Sequence, residues 1–211
     1  MQDTDKLDLK HELGRKAIHV TSLLIIFIFI YFGKSAVLYF LTFSLIVILS
    51  VEYFRIEWDF KVPFLDRFFR EKERHVYGGE IFFIVGAFIA ISVFSREIAI
   101  AAILMTTFGD MAGSLVGKSI GRHRIPKLEK KTVEGSSAEF FVNIIIGYVI
   151  FIYFAPQPQQ YLHPEMIILS MALTATIVET VTNKLDDNLI IPVFAGSAGE
   201  ILLMLFKFTG A

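Results

Sequence analysis

The sequence predicts an all-α integral membrane protein, with about seven transmembrane helices in one bundle and the N-terminus on the cytoplasmic side. Three observations predict it. The 211 residues are 55% hydrophobic and include 22 Phe, more than a soluble domain of this size needs. The apolar residues fall in long runs that are apolar all round, unlike the short alternating strands of a membrane barrel. The basic residues, finally, crowd alternate connections between those runs.

Apolar stretches of roughly 17–25 residues are long enough to cross a bilayer. They fall near 17–33, 36–54, 80–95, 97–117, 137–155, 165–181 and 188–207. These runs use most of the chain, so a single membrane-embedded domain over 1–211 is expected. An interfacial arm is expected at 1–16, and cytoplasmic loops at 55–79 and 118–136. The first run is too long, and too poor in small residues at its end, for a cleavable signal peptide. The chain has no Cys, which excludes disulfides and thiolate metal sites and fits a cytoplasm-facing working surface.

Orientation follows from charge. Seventeen of the twenty lysines and arginines lie in the N-terminal arm and in the second, fourth and sixth connections. Only Lys34, Arg96 and Lys207 lie on the alternate side. Solvation of loops explains why charges are present, but not this asymmetry, which sets the N-terminus inside. No nucleic-acid partner is expected; the partner implied by composition is the bilayer.

Polar residues gather on the cytoplasmic side in four clusters. Glu12, Arg15, Lys16 and His19 share one helix face by their i, i+3, i+4, i+7 spacing. An interfacial anchor that snorkels its basic groups accounts for the arginine and lysine, but does not need His19. Arg74, Gly78, Gly79 and Glu80 read as a turn followed by an acidic first helical turn.

The third cluster is the densest. Asp110 falls inside the fourth run, about 10 Å from its cytoplasmic end at about 1.5 Å per residue. An ionisable residue at that depth is costly and marks a site. Ser114 and Lys118 follow on the same face, while Gly109, Gly113, Gly117 and Gly121 recur every fourth residue on an adjacent stripe. Close helix packing explains the glycines; it does not explain the aspartate. Ala112 to Ser119 also reads as a relaxed P-loop signature, but no strand precedes it, as a true P-loop requires. Beyond a basic loop, Lys130-Lys131-Thr132-Val133-Glu134-Gly135-Ser136-Ser137 opens the fifth run. Hydroxyl and glycine residues at a helix start leave backbone N–H groups facing outward, and the lysines beside them make this a candidate phosphate site as well as a cap.

In the fourth cluster, Glu179, Asn183 and Asp186 share a face and are followed by Asp187, Asn188 and Pro192. Carboxylates at a buried boundary suit a hard cation such as Mg²⁺, or balance the charge of the basic loop.

In chain order these elements are R-K-x-x-H at Arg15, Lys16 and His19; G-D-x-x-G-x-x-x-G-K-x-x-G from Gly109 to Gly121; K-T-x-E-G-S from Lys131 to Ser136; and Glu179-Thr180 with D-D-N-x-x-x-P from Asp186 to Pro192. The set resembles the CTP-dependent polyprenol kinase family, which includes dolichol kinase, phytol kinase and the CTP-using diacylglycerol kinases. This chain is similar to a short version, without the additional N-terminal spans of eukaryotic dolichol kinases. The resemblance implies transfer of the CTP γ-phosphate to the hydroxyl of a membrane isoprenoid alcohol of the dolichol or polyprenol type. It implies that Asp110, with Asp186 or Asp187, holds Mg²⁺. Lys118, Lys131, Thr132, Gly135 and Ser136 are then expected to bind the triphosphate, with Arg15, Lys16, His19 and Ser114 contributing, and Glu134 or Glu179 to orient or deprotonate the alcohol. The residues themselves agree, since phosphoryl transfer requires cations, metal-binding carboxylates and one base more than covalent chemistry. The nearest rival is a CTP:phospholipid cytidylyltransferase making a CDP-lipid. An ion-coupled transporter using Asp110 and Glu179 is a second, but no inverted repeat supports it.

Overall fold

The computed structural model describes residues 22–58, 79–126, 128–155, 161, 163–182 and 185–209. Arg15, Lys16 and His19, the arm at 1–16, and residues 59–78 of the expected loop lie outside the described residues, as do Asn183 and Lys184. The chain divides into two compact units, Met1–Val85 and Gly86–Ala211.

The first unit contains α1 (Ser22–Trp58) and the start of α2 (Gly79–Val93). Gly33 breaks α1 with φ 85° and ψ 179°, a conformation that glycine alone adopts readily. The break falls between the first two apolar runs of the sequence. Near the end of α1, buried Arg55 donates to both carboxylate oxygens of Glu52, from Nε at 3.1 Å and from its terminal nitrogen at 2.5 Å. This two-point geometry lets an ion pair survive away from water. An apolar cavity in this unit is lined by Ile25, Leu41, Phe83 and Ile84, with Ser44 and Glu80 among its polar members.

The second unit holds the rest of α2 and one long helical rod. The rod is α3 (Arg96–Leu104), a π-helical stretch (Met105–Gly109) and α4 (Asp110–Ser119). A hairpin of β1 (Arg124–Ile125) and β2 (Leu128–Thr132) leads to α5 (Val133–Tyr148), which ends in a second π-helical stretch (Val149–Phe154). Helices α6 (Pro164–Val181) and α7 (Asp187–Thr209) complete it. α4 packs on α5, α5 on α6, α6 on α7, and α3 on α7. Ile98, Ile103, Met105, Phe151, Ile167, Met171, Ile191 and Leu203 are almost wholly enclosed. In lipid such contacts depend on fit more than on water exclusion, so small residues matter. A Cβ on Gly196 would stand 2.2 Å from the Phe94 ring, and one on Gly199 2.7 Å from Met171 Sδ. Outward, Phe141, Tyr153 and Phe208 are exposed, the last at 89%, as lipid-facing side chains are.

The fold is therefore helical, as expected. Among the described residues five helical stretches are long and apolar enough to cross a membrane: Ser22–Glu57, Arg96–Ser119, Val133–Phe154, Pro164–Val181 and Asp187–Phe208. The difference from about seven has two sources. The first two runs are two helices that meet at Gly33 and together make one apolar stretch, with Ile25 of the first and Leu41 and Ser44 of the second lining the same cavity, and α2 has only 15 residues. The segment 118–136, expected as a loop, has structure of its own. α4 continues to Ser119, α5 begins at Val133, and between them lies a β-hairpin where no strand was expected.

The start of α3 carries a polar group of its own. The Ser95 backbone N–H and hydroxyl both donate to Glu200, each at 2.7 Å, so a carboxylate from α7 caps α3. Buried Tyr161 donates its hydroxyl to buried Glu97.

Candidate functional site

The four-residue glycine period is what brings α4 against α5. A Cβ on Gly109 would lie 2.2 Å from Asn143 Oδ1, one on Gly113 3.2 Å from Glu139 Cβ, and one on Gly117 3.0 Å from Thr132 Oγ1. Gly135 answers from the other helix: a Cβ there would be 2.8 Å from the Gly113 carbonyl oxygen. The stripe thus runs antiparallel along Thr132, Gly135, Glu139 and Asn143. Asp110, Ser114 and Lys118 occupy the neighbouring stripe of α4, the first two half-buried and Lys118 exposed.

Asp110 begins α4 directly after the π-helical stretch. Such widened turns re-aim the side chains that follow them and recur at functional sites. The hydroxyls of Thr106 and Thr107 donate back to the carbonyls of Ala102 and Ile103, at 2.8 and 3.0 Å, which occupies polar groups within the buried stretch.

Thr132 caps α5: its hydroxyl accepts the Gly135 N–H at 3.2 Å. Glu134, in the first turn, accepts from the His123 backbone N–H at 3.2 Å and pairs with His123 Nδ1 at 2.6 Å, so it ties the helix start to the chain entering the hairpin. Lys131 Nζ donates to Glu179, which is buried near the end of α6. One turn along α5, the hydroxyls of Ser136 and Thr180 bond at 2.9 Å. Asp186 precedes α7 and accepts the Asn188 N–H at 3.0 Å, and Asp187 opens the helix.

The structure thus brings Lys131, Thr132, Gly135 and Ser136 together with Glu179 and Thr180, and sets the Gly109–Lys118 segment against them. It engages Glu134 with His123, a histidine that sequence reasoning passed over. It also shows Glu139, 1% exposed on α5, within electrostatic reach of Glu179, Lys131 and Asp187. Its signal was a lone glutamate inside an apolar run.

Chemically, the arrangement offers a capped helix N-terminus with lysines beside it, which favours phosphate, and hard carboxylate oxygens at the same level. Among the described residues no three acidic or histidine side chains gather closely enough to hold a metal ion alone. Mg²⁺ does not require such a cage, because it takes one or two carboxylates and completes its shell with phosphate and water. The all-oxygen donor set, with buried carboxylate oxygens of Glu139 that no hydrogen bond satisfies, fits that ion.

Comparison with known proteins points the same way. The family described as "Cytidylyltransferase family" matches residues 75–183, which include α2 through α6 and both central motifs. The CTP-dependent diacylglycerol kinase 1 of Saccharomyces cerevisiae is 27% identical over 94% of this chain and 76% of its own length. The protein of that name from Schizosaccharomyces pombe is 30% identical over 59% of this chain and 60% of its own. A probable chloroplastic phytol kinase of Triticum aestivum is 28% identical over 57% of this chain and 42% of its own. The chain therefore spans three quarters of the first relative but less than two thirds of the other two. No solved structure matches.

Proposed function

This chain belongs to the cytidylyltransferase family, and from that premise we propose that it is a CTP-dependent lipid kinase acting at the cytoplasmic face of a membrane. The alcohol oxygen of a lipid attacks the γ-phosphorus of CTP, the bond to the β-phosphate oxygen breaks, and CDP leaves. The alcohol proton passes to a carboxylate of the site. The observation that carries the reading is the meeting of Lys131, the Thr132-capped start of α5 and Glu179, beside the α4 stripe of Asp110, Ser114 and Lys118.

In this reading Lys118, Lys131 and the backbone N–H groups from Gly135 and Ser136 bind the triphosphate. Arg15, Lys16 and His19 approach it from the N-terminal arm. Asp110, Asp186 and Asp187 would hold Mg²⁺, which neutralises charge on the β- and γ-phosphates when bound. Glu179 accepts from Lys131; a triphosphate that draws the lysine away frees that carboxylate to receive the proton. Glu134, paired with His123 at the entry to the hairpin, is the other carboxylate that would orient or deprotonate the alcohol.

The acceptor is a lipid alcohol of wider class than the dolichol type. The relative aligned over most of both chains is named for diacylglycerol, and others are named for phytol. Diacylglycerol and isoprenoid alcohols are thus the acceptors to compare.

The test is purified protein in detergent with γ-³²P-CTP and a panel of diacylglycerol, phytol and polyprenol. Label on a lipid phosphate supports the kinase. The family's own description favours a second reading, cytidylyl transfer. Label from α-³²P-CTP appearing in a CDP-lipid, with pyrophosphate released, would establish that activity instead.

A further inference from the structure

We propose that Glu139 and Asn143 form a hard-cation site between α4 and α5, with a divalent ion as its occupant. The two residues are one turn apart on α5 and so share a face. Both are almost wholly buried, at 1% and 0% exposure. Both carboxylate oxygens of Glu139, and the Oδ1 of Asn143, lack any hydrogen-bond partner. Asn143 Nδ2 donates to Thr176 at 3.4 Å, which turns its carbonyl oxygen the other way, toward Gly109. The Glu139 carboxylate is turned toward Gly113.

A buried carboxylate without a donor is expensive, and a second unpaired oxygen a turn away adds to the cost. Charge makes the case sharper. Glu139 feels Glu179 from α6, Lys131 from β2 and Asp187 from α7. Three carboxyl groups crowd one ammonium here, and a divalent cation would relieve their mutual repulsion. Carboxylate and amide oxygens are the donors that Mg²⁺ and Ca²⁺ take. Two protein ligands with water and phosphate are enough for Mg²⁺, consistent with the absence of a three-residue cage among the described residues. As a cation additional to the one assigned to Asp110, Asp186 and Asp187, it deepens the kinase reading and rests on it for its purpose, though not for its binding.

The test uses the full chain in detergent, without nucleotide or lipid. Mn²⁺ binding is titrated by electron paramagnetic resonance for the parent, Glu139→Gln, Glu139→Asp and Asn143→Leu. Outer-shell changes alone weaken metal sites by roughly 10–100-fold, so loss of a ligand in Glu139→Gln is expected to weaken binding at least about tenfold, with partial recovery in Glu139→Asp. Thermal unfolding separates binding from folding. Glu139→Gln replaces a buried carboxyl by an amide of the same shape, so it should unfold no earlier than the parent and lose the stabilisation that the cation gives. Parent protein that binds no Mn²⁺, or a folded Glu139→Gln that binds it as tightly as the parent, would overturn the site. Either result leaves the kinase reading to the labelled-lipid assay.

Discussion

The Thr132 hydroxyl accepts the backbone N–H of Gly135 at 3.2 Å, and it does so inside a ring of glycines. A Cβ on Gly117, Gly121 or Gly135 would come to 3.0, 2.7 or 3.0 Å of that oxygen. One side chain therefore caps α5 and fills the space the α4 stripe leaves. Thr132→Ala removes the cap, at a cost of about 1 kcal/mol. For a chain of this length that is a fall of about 2–4 °C in unfolding midpoint. Thr132→Ser keeps the bond and should recover most of it. Both are expected to raise KM for CTP, Ala more than Ser, because the N–H groups offered to phosphate lose their fixed direction.

The glycines on the two helices should differ in tolerance. A methyl group on Gly135 meets the Gly113 backbone oxygen at 2.8 Å, which cannot move without shifting α4. On Gly113 the nearest atoms are Glu139 Cβ at 3.2 Å and Oε2 at 3.3 Å, and the carboxylate can turn aside. Gly135→Ala is expected to cost about 1–3 kcal/mol, as overpacking does, and to abolish activity. Gly113→Ala should cost less and leave the fold intact. Equal midpoints for the two variants would contradict this contact.

Lys131 and Glu179 offer a separation of stability from function. Lys131→Met leaves Glu179 buried beside Glu139 without its cation. Breaking a buried pair costs roughly 3–5 kcal/mol, and the 23% exposure of the lysine side chain places this case at the lower end. Glu179→Gln removes the charge that repels Glu139 and should be milder. In the double variant Lys131→Met/Glu179→Met, stability should recover relative to Lys131→Met, with a coupling of about 1–3 kcal/mol. Phosphoryl transfer should not recover, since both residues are assigned to the reaction. Calorimetry and the labelled-lipid assay on the same preparations read the two effects apart.

How much of this was legible beforehand follows from what a sequence encodes. The apolar runs near 97–117, 137–155, 165–181 and 188–207 fall within observed helices, because composition alone keeps such stretches helical in lipid. The glycine period announced close packing, and Thr132 announced a cap. The hairpin was not legible, since β1 and β2 have two and five residues, too few for an alternation to register. Nor was Glu139. A sequence gives the period of a helix but not its rotation against the next one, and here the Gly113–Gly135 contact fixes that rotation. The π-helical stretch before Asp110 leaves no period of its own.

Asp110 follows that widened turn, and its assigned part is electrostatic. Asp110→Asn keeps shape and hydrogen-bonding capacity while removing the charge. Loss of a group that acts on transition-state charge costs about 10²–10³ in turnover. A fall of that order is expected, with the unfolding midpoint within a degree or two of the parent. Turnover near the parent's would remove Asp110 from the metal-binding role.

Tyr161 and Glu97 make a prediction that concerns the opposite end of the α3–α4 rod from Lys118. Burial first, and then the hydrogen bond to Glu97, hold the Tyr161 phenol above its ordinary range. The unfolded chain ionises near pH 10. Its stabilising effect is therefore complete below about pH 10 and is lost at higher pH, as the unfolded state releases its proton first. Tyr161→Phe leaves buried Glu97 without this donor, at a cost of about 1–3 kcal/mol at neutral pH. It also removes this contribution to alkaline sensitivity. The parent's unfolding midpoint should thus exceed the variant's at pH 7, and the gap should narrow above pH 10. A gap constant across that range would show that the phenol does not ionise on unfolding. Turnover at neutral pH should change little in the variant, because Tyr161 and Glu97 take no part in the phosphate chemistry assigned to Lys131 and α5.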